Sequence, residues 1–235
     1  MNETLIHLRL QLRQNSNETI RAGAQRYFKE PVECYGIKTM TNTLISKEVF
    51  KTIKSKPKNE IFEICTELWK SGILEETFIA GHWAYMMRKQ YERDDFRLFE
   101  YWVDQYINNW ASCDNFCNHA VGEIVVQFPE FLEDLKRWAT SENRWMRRAS
   151  AVSLIVPGRK GLFLNEIFEI ADILLMDPDD LVQKGYGWML KVASNKHLQE
   201  VYDYVVSKKA VMPRTAYRYA IEKMPEEMKK TAMGR

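Results

Sequence analysis

Apolar residues recur at helical spacing almost from end to end of this chain, and that pattern limits what it can fold into. Leu5, Leu8 and Leu12 open the series, followed by Ile61, Ile64 and Leu68. Leu98, Trp102 and Ile107 follow the rule approximately, and Phe131, Leu135 and Trp138 and then Ile167, Ile170, Ala171 and Leu174 follow it closely. Turn-forming stretches separate these runs: 56–59 (KPKN), 128–130 (FPE), 140–143 (TSEN), 156–158 (VPG) and 177–180 (DPDD). No segment alternates in the way a half-buried strand would. The helices read as pairs, and the second member of each pair carries a small residue: Ala80, Ala120, Ala149, Gly185 and Ala216, at intervals of 40, 29, 36 and 31. A two-helix unit cannot bury its apolar stripe alone, so such units stack, and small residues let neighbouring helices approach. The expected fold is therefore all-α, an α-solenoid of helical repeats with a concave face, running as one continuous domain over residues 1–235. An irregular helical bundle has the same periodicity. Residues 29–42 are the longest stretch with weak periodicity, with a turn expected at Gly36.

Composition excludes several classes. An apolar fraction of 46% beside 28% charged residues is that of a folded globular protein. No apolar run approaches the ~20 residues that span a bilayer, and the first residues lack the charged-then-apolar order of a secretion signal. Cys34, Cys65, Cys113 and Cys117 form no CxxC pair and no histidine cluster accompanies them, which argues against zinc and for free thiols in a cytoplasmic protein. Cys113 and Cys117 lie near His119, but helical cysteines are usually small core residues. The net charge of +2 is uneven: −2 over residues 1–138 and +4 over 139–235. Any anion-binding face is thus expected in the C-terminal half.

Three segments stand out. Trp110 and Asp114 are four apart and would share a helical face. Locally, Asp114 also reads as a helix-start residue favoured by the macrodipole, with Ser112 as a possible cap, and Trp110 as a core aromatic. Trp145, Arg147 and Arg148 follow a polar turn, where basic residues oppose the helix dipole. Either phosphate contact or a salt bridge, to Asp114 or to a carboxylate of the adjacent repeat, would account for them. In residues 184–188 (KGYGW) two glycines each cost about 1 kcal/mol in a helix, a cost offset by close helix packing or by a ligand near the backbone. Trp188 is then a core residue or an exposed aromatic plate. Lys208, Lys209, Arg214 and Arg218 form a basic stripe that reads as solvated surface or as contacts to a nucleic-acid backbone, and Arg159 and Lys160 offer the same from a loop.

Together, 110–114 (WASCD), 141–149 (SENRWMRRA), 184–188 (KGYGW) and, near the N-terminus, 27–29 (YFK) with 35–39 (YGIKT) carry a family resemblance. The chain resembles the AlkD-type DNA glycosylases, the HEAT-like-repeat proteins of the DNA alkylation repair family, over essentially its whole length. The resemblance implies a concave surface cradling double-stranded DNA and excision of cationic alkylpurines such as 3-methyladenine and 7-methylguanine. It implies no metal and no organic cofactor, no membrane partner and a monomer. Asp114 matches the catalytic carboxylate, Trp110 and Trp188 the aromatic pair flanking the lesion, Arg148 the arginine beside them, and Tyr27 an aromatic at the edge of the site. Arg147, Lys184, Lys208, Lys209, Arg214 and Arg218 are the expected backbone contacts. The near-neutral charge and the loose form around Gly185 and Gly187 depart from the family. Two further readings follow: a relative that binds damaged or branched DNA without efficient excision, and a helical-repeat scaffold that binds another protein.

Overall fold

The computed structural model of the chain describes residues 2–234, and among them every regular element is helical. Two compact units divide the chain, meeting in sequence between Phe116 and Cys117. The first contains α1 (Glu3–Gln14), α2 (Glu18–Ala24), α3 (Thr39–Ile53), α4 (Lys58–Lys70), α5 (Leu74–Met86), α6 (Asp95–Tyr106) and α7 (Trp110–Phe116), with a 3-10 turn at Gln25–Tyr27 after α2. The second begins with a π-helical turn at Cys117–Val121. It continues through α8 (Gly122–Gln127), α9 (Leu132–Trp138), α10 (Arg144–Val152), α11 (Ile155–Arg159), α12 (Leu164–Ile173), α13 (Asp180–Ala193), α14 (Leu198–Ser207), α15 (Arg214–Ile221) and α16 (Glu226–Met233).

Helices pack in sequence order within each unit. In the first, α5 lies against α3, α4 and α7, while α1 packs on α3 and α6 on α4. In the second, α10, α13 and α15 pack in series, α9 and α12 lie against each other and against α10, α12 also meets α13, and α14 rests on α13 and α15. Periodicity predicts most of these buried faces. Leu5, Leu8 and Leu12, Ile61, Ile64 and Leu68, Leu135 and Trp138, and Ile167, Ile170, Ala171 and Leu174 are all in the core. Along α6 the stripe differs: Phe96, Phe99, Trp102 and Val103 are buried and Leu98 is only half-buried. That register brings Phe99 and Trp102 against Phe62, Trp69 and Phe116 in a cluster of edge-on and stacked rings. Such pairs add about 0.5–1.5 kcal/mol each beyond the area they bury.

The five small residues are all buried, as close helix packing requires. Ala120, however, sits in the π-turn rather than a regular helix. Gly122 follows that turn at once, and a Cβ on it would lie 2.6 Å from the carbonyl oxygen of Ser153, the residue that ends α10. Residues 156–158, read as a turn, lie inside α11. Pro157 is accommodated because it occupies the first turn, where backbone N–H groups have no intrahelical partner. Gly36 does take the positive φ expected of a turn, at 77°.

The glycines of α13 have unequal roles. A Cβ on Gly187 would meet Tyr219 Cβ at 2.7 Å and the Ala216 carbonyl oxygen at 2.8 Å, so this glycine sets the approach of α15 to α13. On Gly185 the atoms nearest a Cβ would be those of the Arg148 and Val152 side chains, at 3.4–3.5 Å. Gly187→Ala is therefore expected to lose about 1–3 kcal/mol through overpacking. Gly185→Ala is expected to gain up to about 1 kcal/mol from helix propensity. Chemical denaturation midpoints of the two variants check the opposite signs.

Candidate functional site

Asn109 caps α7: its side-chain oxygen accepts from the Ser112 N–H at 2.9 Å and its carbonyl from the Cys113 N–H at 3.2 Å. Ser112 is therefore not the cap. Its hydroxyl is buried against the Thr77 hydroxyl at 2.8 Å and accepts from the Asn109 amide at 3.1 Å. With Trp110 as first residue, Asp114 lies within α7 rather than at its start, one turn along the same face. Both side chains are half-buried, and the π-turn follows three residues after Asp114. Such turns recur at functional sites.

The indole of Trp110 is fixed from two directions. Its Nε1–H donates to the Tyr27 carbonyl at 3.0 Å, and its ring stacks on Phe28 with centroids 5.5 Å apart and planes at 25°. Beside it runs an apolar groove of about 490 Å³, whose walls include Ile20, Tyr27, Phe28, Phe78 and Trp110. Tyr27 itself is three-quarters exposed. The first unit thus brings Tyr27, Trp110 and Asp114 onto neighbouring elements.

This arrangement depends on two carboxylates that sequence reasoning passed over. Glu75 and Glu76 open α5 and are buried. Glu75 accepts from the backbone N–H groups of Tyr35, Gly36 and Ile37, each at 2.9 Å. Glu76 accepts from both Nε and Nη2 of Arg9, and from the Tyr35 hydroxyl at 2.7 Å. In sequence they resemble any acidic pair favoured by a helix N-terminus. The available signal was their position at the head of the largely apolar run 77–84, where a solvated carboxylate is out of place.

The second unit holds the remaining predicted residues. Arg148 of α10 is buried, donates through Nη1 to the Leu181 carbonyl, and lies against α13 beside Gly185. Trp188 is half-buried and shares a face of α13 with Lys184, one turn earlier. Arg147 and Arg148 fall in the second turn of α10, not the first, because the helix starts at Arg144 behind an Asn143 cap. Arg147 donates to Asp177 at 2.6 Å and to the carbonyls of Ser141 and Glu142 at 2.9 Å. Of the two readings of this arginine, the carboxylate of an adjacent helix pair is the contact present, and a phosphate would have to compete with it. Lys184 is paired with Asp180 at 3.0 Å, and Lys208 with Asp172 at 2.8 Å. Lys209, Arg214 and Arg218 are exposed, the last two sharing one face of α15.

An all-helical fold over the described residues, carrying these motifs, defines a class of protein, and sequence comparison identifies it. The family described as DNA alkylation repair enzyme matches residues 8–224, and the chain belongs to that family. Among solved structures it is similar to a predicted DNA alkylation repair enzyme from Enterococcus faecalis, with a TM-score of 0.80 at 19% identity, covering 90% of this chain and 98% of that one. It is also similar to the Pseudomonas fluorescens alkylpurine DNA glycosylase AlkC bound to DNA containing an abasic site analog. There the TM-score is 0.57 at 16% identity, over 98% of this chain and 66% of that one. No curated protein sequence matches. At these identities the structures establish a shared fold.

Burial, and then the hydrogen bond to Glu76, push the Tyr35 phenol up to about 12 from an ordinary value of 10. A phenol raised on folding favours the native state while it is protonated. Its contribution is complete below pH 10 and is lost as the pH rises from 10 towards 12. Stability curves of wild type and Tyr35→Phe are therefore expected to run parallel below pH 10 and to converge above it.

Proposed function

We propose that the protein is a monofunctional, AlkD-type DNA glycosylase that removes cationic alkylated purines, 3-methyladenine and 7-methylguanine among them, from duplex DNA. One observation carries the reading: in a member of the DNA alkylation repair family, Trp110 and Asp114 share one face of α7, with the indole anchored by the Tyr27 carbonyl and Phe28. The proposal takes residues 1–235 as one HEAT-like-repeat domain acting as a monomer in the cytoplasm. It assigns Arg148 and Trp188 to the same substrate by resemblance.

The chemistry suits these groups. Alkylation makes the purine a cation and a good leaving group. As the bond between C1′ and the base nitrogen breaks, its electron pair leaves with the base, which departs neutral, and positive charge develops on the deoxyribose. The Asp114 carboxylate stabilises that charge and accepts a proton from the water whose oxygen bonds to C1′. The indole face at Trp110 attracts such cations, by about 0.5–2 kcal/mol, and the resemblance gives Trp188 the same role. Arg148, already buried and bonded to the Leu181 carbonyl, acts as a fixed charge rather than as a mobile arm. Lys209, Arg214 and Arg218 hold the DNA backbone, and Arg147, Lys184 and Lys208 reach it by exchanging their carboxylate partners for phosphate.

The test is release of both bases from methylated duplex DNA, with enzyme in excess over lesions, by wild type and Asp114→Asn. Release by wild type is expected, with a loss of at least about 100-fold in the variant and little change in DNA affinity. Absence of release by wild type, with salt-sensitive DNA binding retained, overturns excision in favour of a DNA-binding role. Absence of any salt-sensitive binding leaves the scaffold reading.

A further inference from the structure

We infer that Phe28 is a positioning residue for Trp110, and that the segment from Asn17 to Ile37 is the frame that holds it in place. This rests on the proposed reading of Trp110 as a contact to the lesion. Phe28 lies nearly parallel to the indole, centroids 5.5 Å apart, while the carbonyl of the preceding residue takes the indole N–H at 3.0 Å. The hydrogen bond fixes the ring in its own plane, and the stack fixes the tilt of that plane. Because Phe28 occupies one face, a cationic sugar or base attracted to the indole has only the opposite face.

The frame is itself braced at several points. The Gln25 amide donates to the carbonyls of Phe28 at 3.2 Å and Glu30 at 2.9 Å, and its oxygen accepts from the Val32 N–H at 3.1 Å. The Asn17 N–H donates to the Tyr35 carbonyl at 3.3 Å. Gly36, at φ 77°, lies so close to α2 that a Cβ there would fall 2.3 Å from the Asn17 carbonyl oxygen and 2.6 Å from the Arg21 nitrogen. Glu75 then ties residues 35–37 to α5. A continuous set of hydrogen bonds and close contacts thus runs from α5 through α2 to the ring that stacks on Trp110. Misplacement of a reacting group by about 1 Å lowers rates by as much as about 100-fold. A half-buried phenylalanine in a loop therefore has a functional consequence beyond the area it covers.

The experiment compares wild type with Phe28→Ala, Phe28→Leu and Phe28→Tyr in two readouts. The first is single-turnover release of 7-methylguanine at saturating enzyme. About a tenfold loss is expected for the alanine and leucine variants, with duplex affinity unchanged and with Phe28→Tyr close to wild type. Adding Phe28→Ala to Trp110→Ala is expected to cost nothing more, since the group being positioned is gone. The second readout is the indole N–H resonance of Trp110, assigned by its absence in Trp110→Phe. It is expected to shift and broaden in Phe28→Leu and to stay in place in Phe28→Tyr. Losses that multiply in the double variant, or an unmoved indole resonance in Phe28→Leu, overturn the inference. Absence of excision by wild type overturns the glycosylase reading, while the resonance still decides whether Phe28 orients Trp110.

Discussion

The buried carboxylate of Glu75 is the contact on which the first unit depends. A carboxylate removed from water is costly unless its lone pairs find donors, and Glu75 finds three successive backbone N–H groups, of Tyr35, Gly36 and Ile37. The same contact satisfies donors in a segment that has no regular secondary structure to satisfy them. Glu76 adds a bidentate arginine and a phenol. The irregular run between α2 and α3 is thereby bound to the head of α5. This attachment acts together with the Gln25 and Asn17 bonds to hold Tyr27 and Phe28 against Trp110.

Much of the fold was legible from apolar spacing alone, because helix burial is periodic and local. The stripes of α1, α4 and α12 needed no tertiary information. The register of α6 did, since the aromatic ring cluster that Phe99 and Trp102 enter puts Phe99 rather than Leu98 in the core. Pro157 and Gly158 read as a break and form part of α11, because a proline in the first helical turn breaks nothing. The site was legible unevenly. Trp110 and Asp114 could be placed on one face by counting residues, whereas the Asn109 cap that sets where the helix starts could not. Phe28 and Glu75 act across long sequence separations, and a single sequence carries no periodic trace of such contacts.

Glycine illustrates the same division. Residues 185 and 187 look equivalent in the sequence, two glycines in one helix. Their environments differ: Gly187 admits the backbone of α15, while Gly185 faces side-chain atoms of Arg148, its guanidinium included, and a valine methyl. Local propensity assigns both the same cost, and only packing distinguishes the position that sets the helix spacing.

The internal partners of Arg147, Lys184 and Lys208 bear on how the protein would sense ionic strength. The ions released when a protein cation meets a phosphate are chiefly those condensed on the nucleic acid. When a cation already holding a carboxylate of its own fold is handed to a phosphate, the acid it leaves behind takes up cations from solution and offsets part of that release. Affinity for a polyanion then rises less steeply on dilution than the number of contacts implies, because log affinity follows ions released and not bonds formed. On the proposed reading, the near-neutral surface is then compatible with a large DNA footprint whose salt response resembles that of a small one.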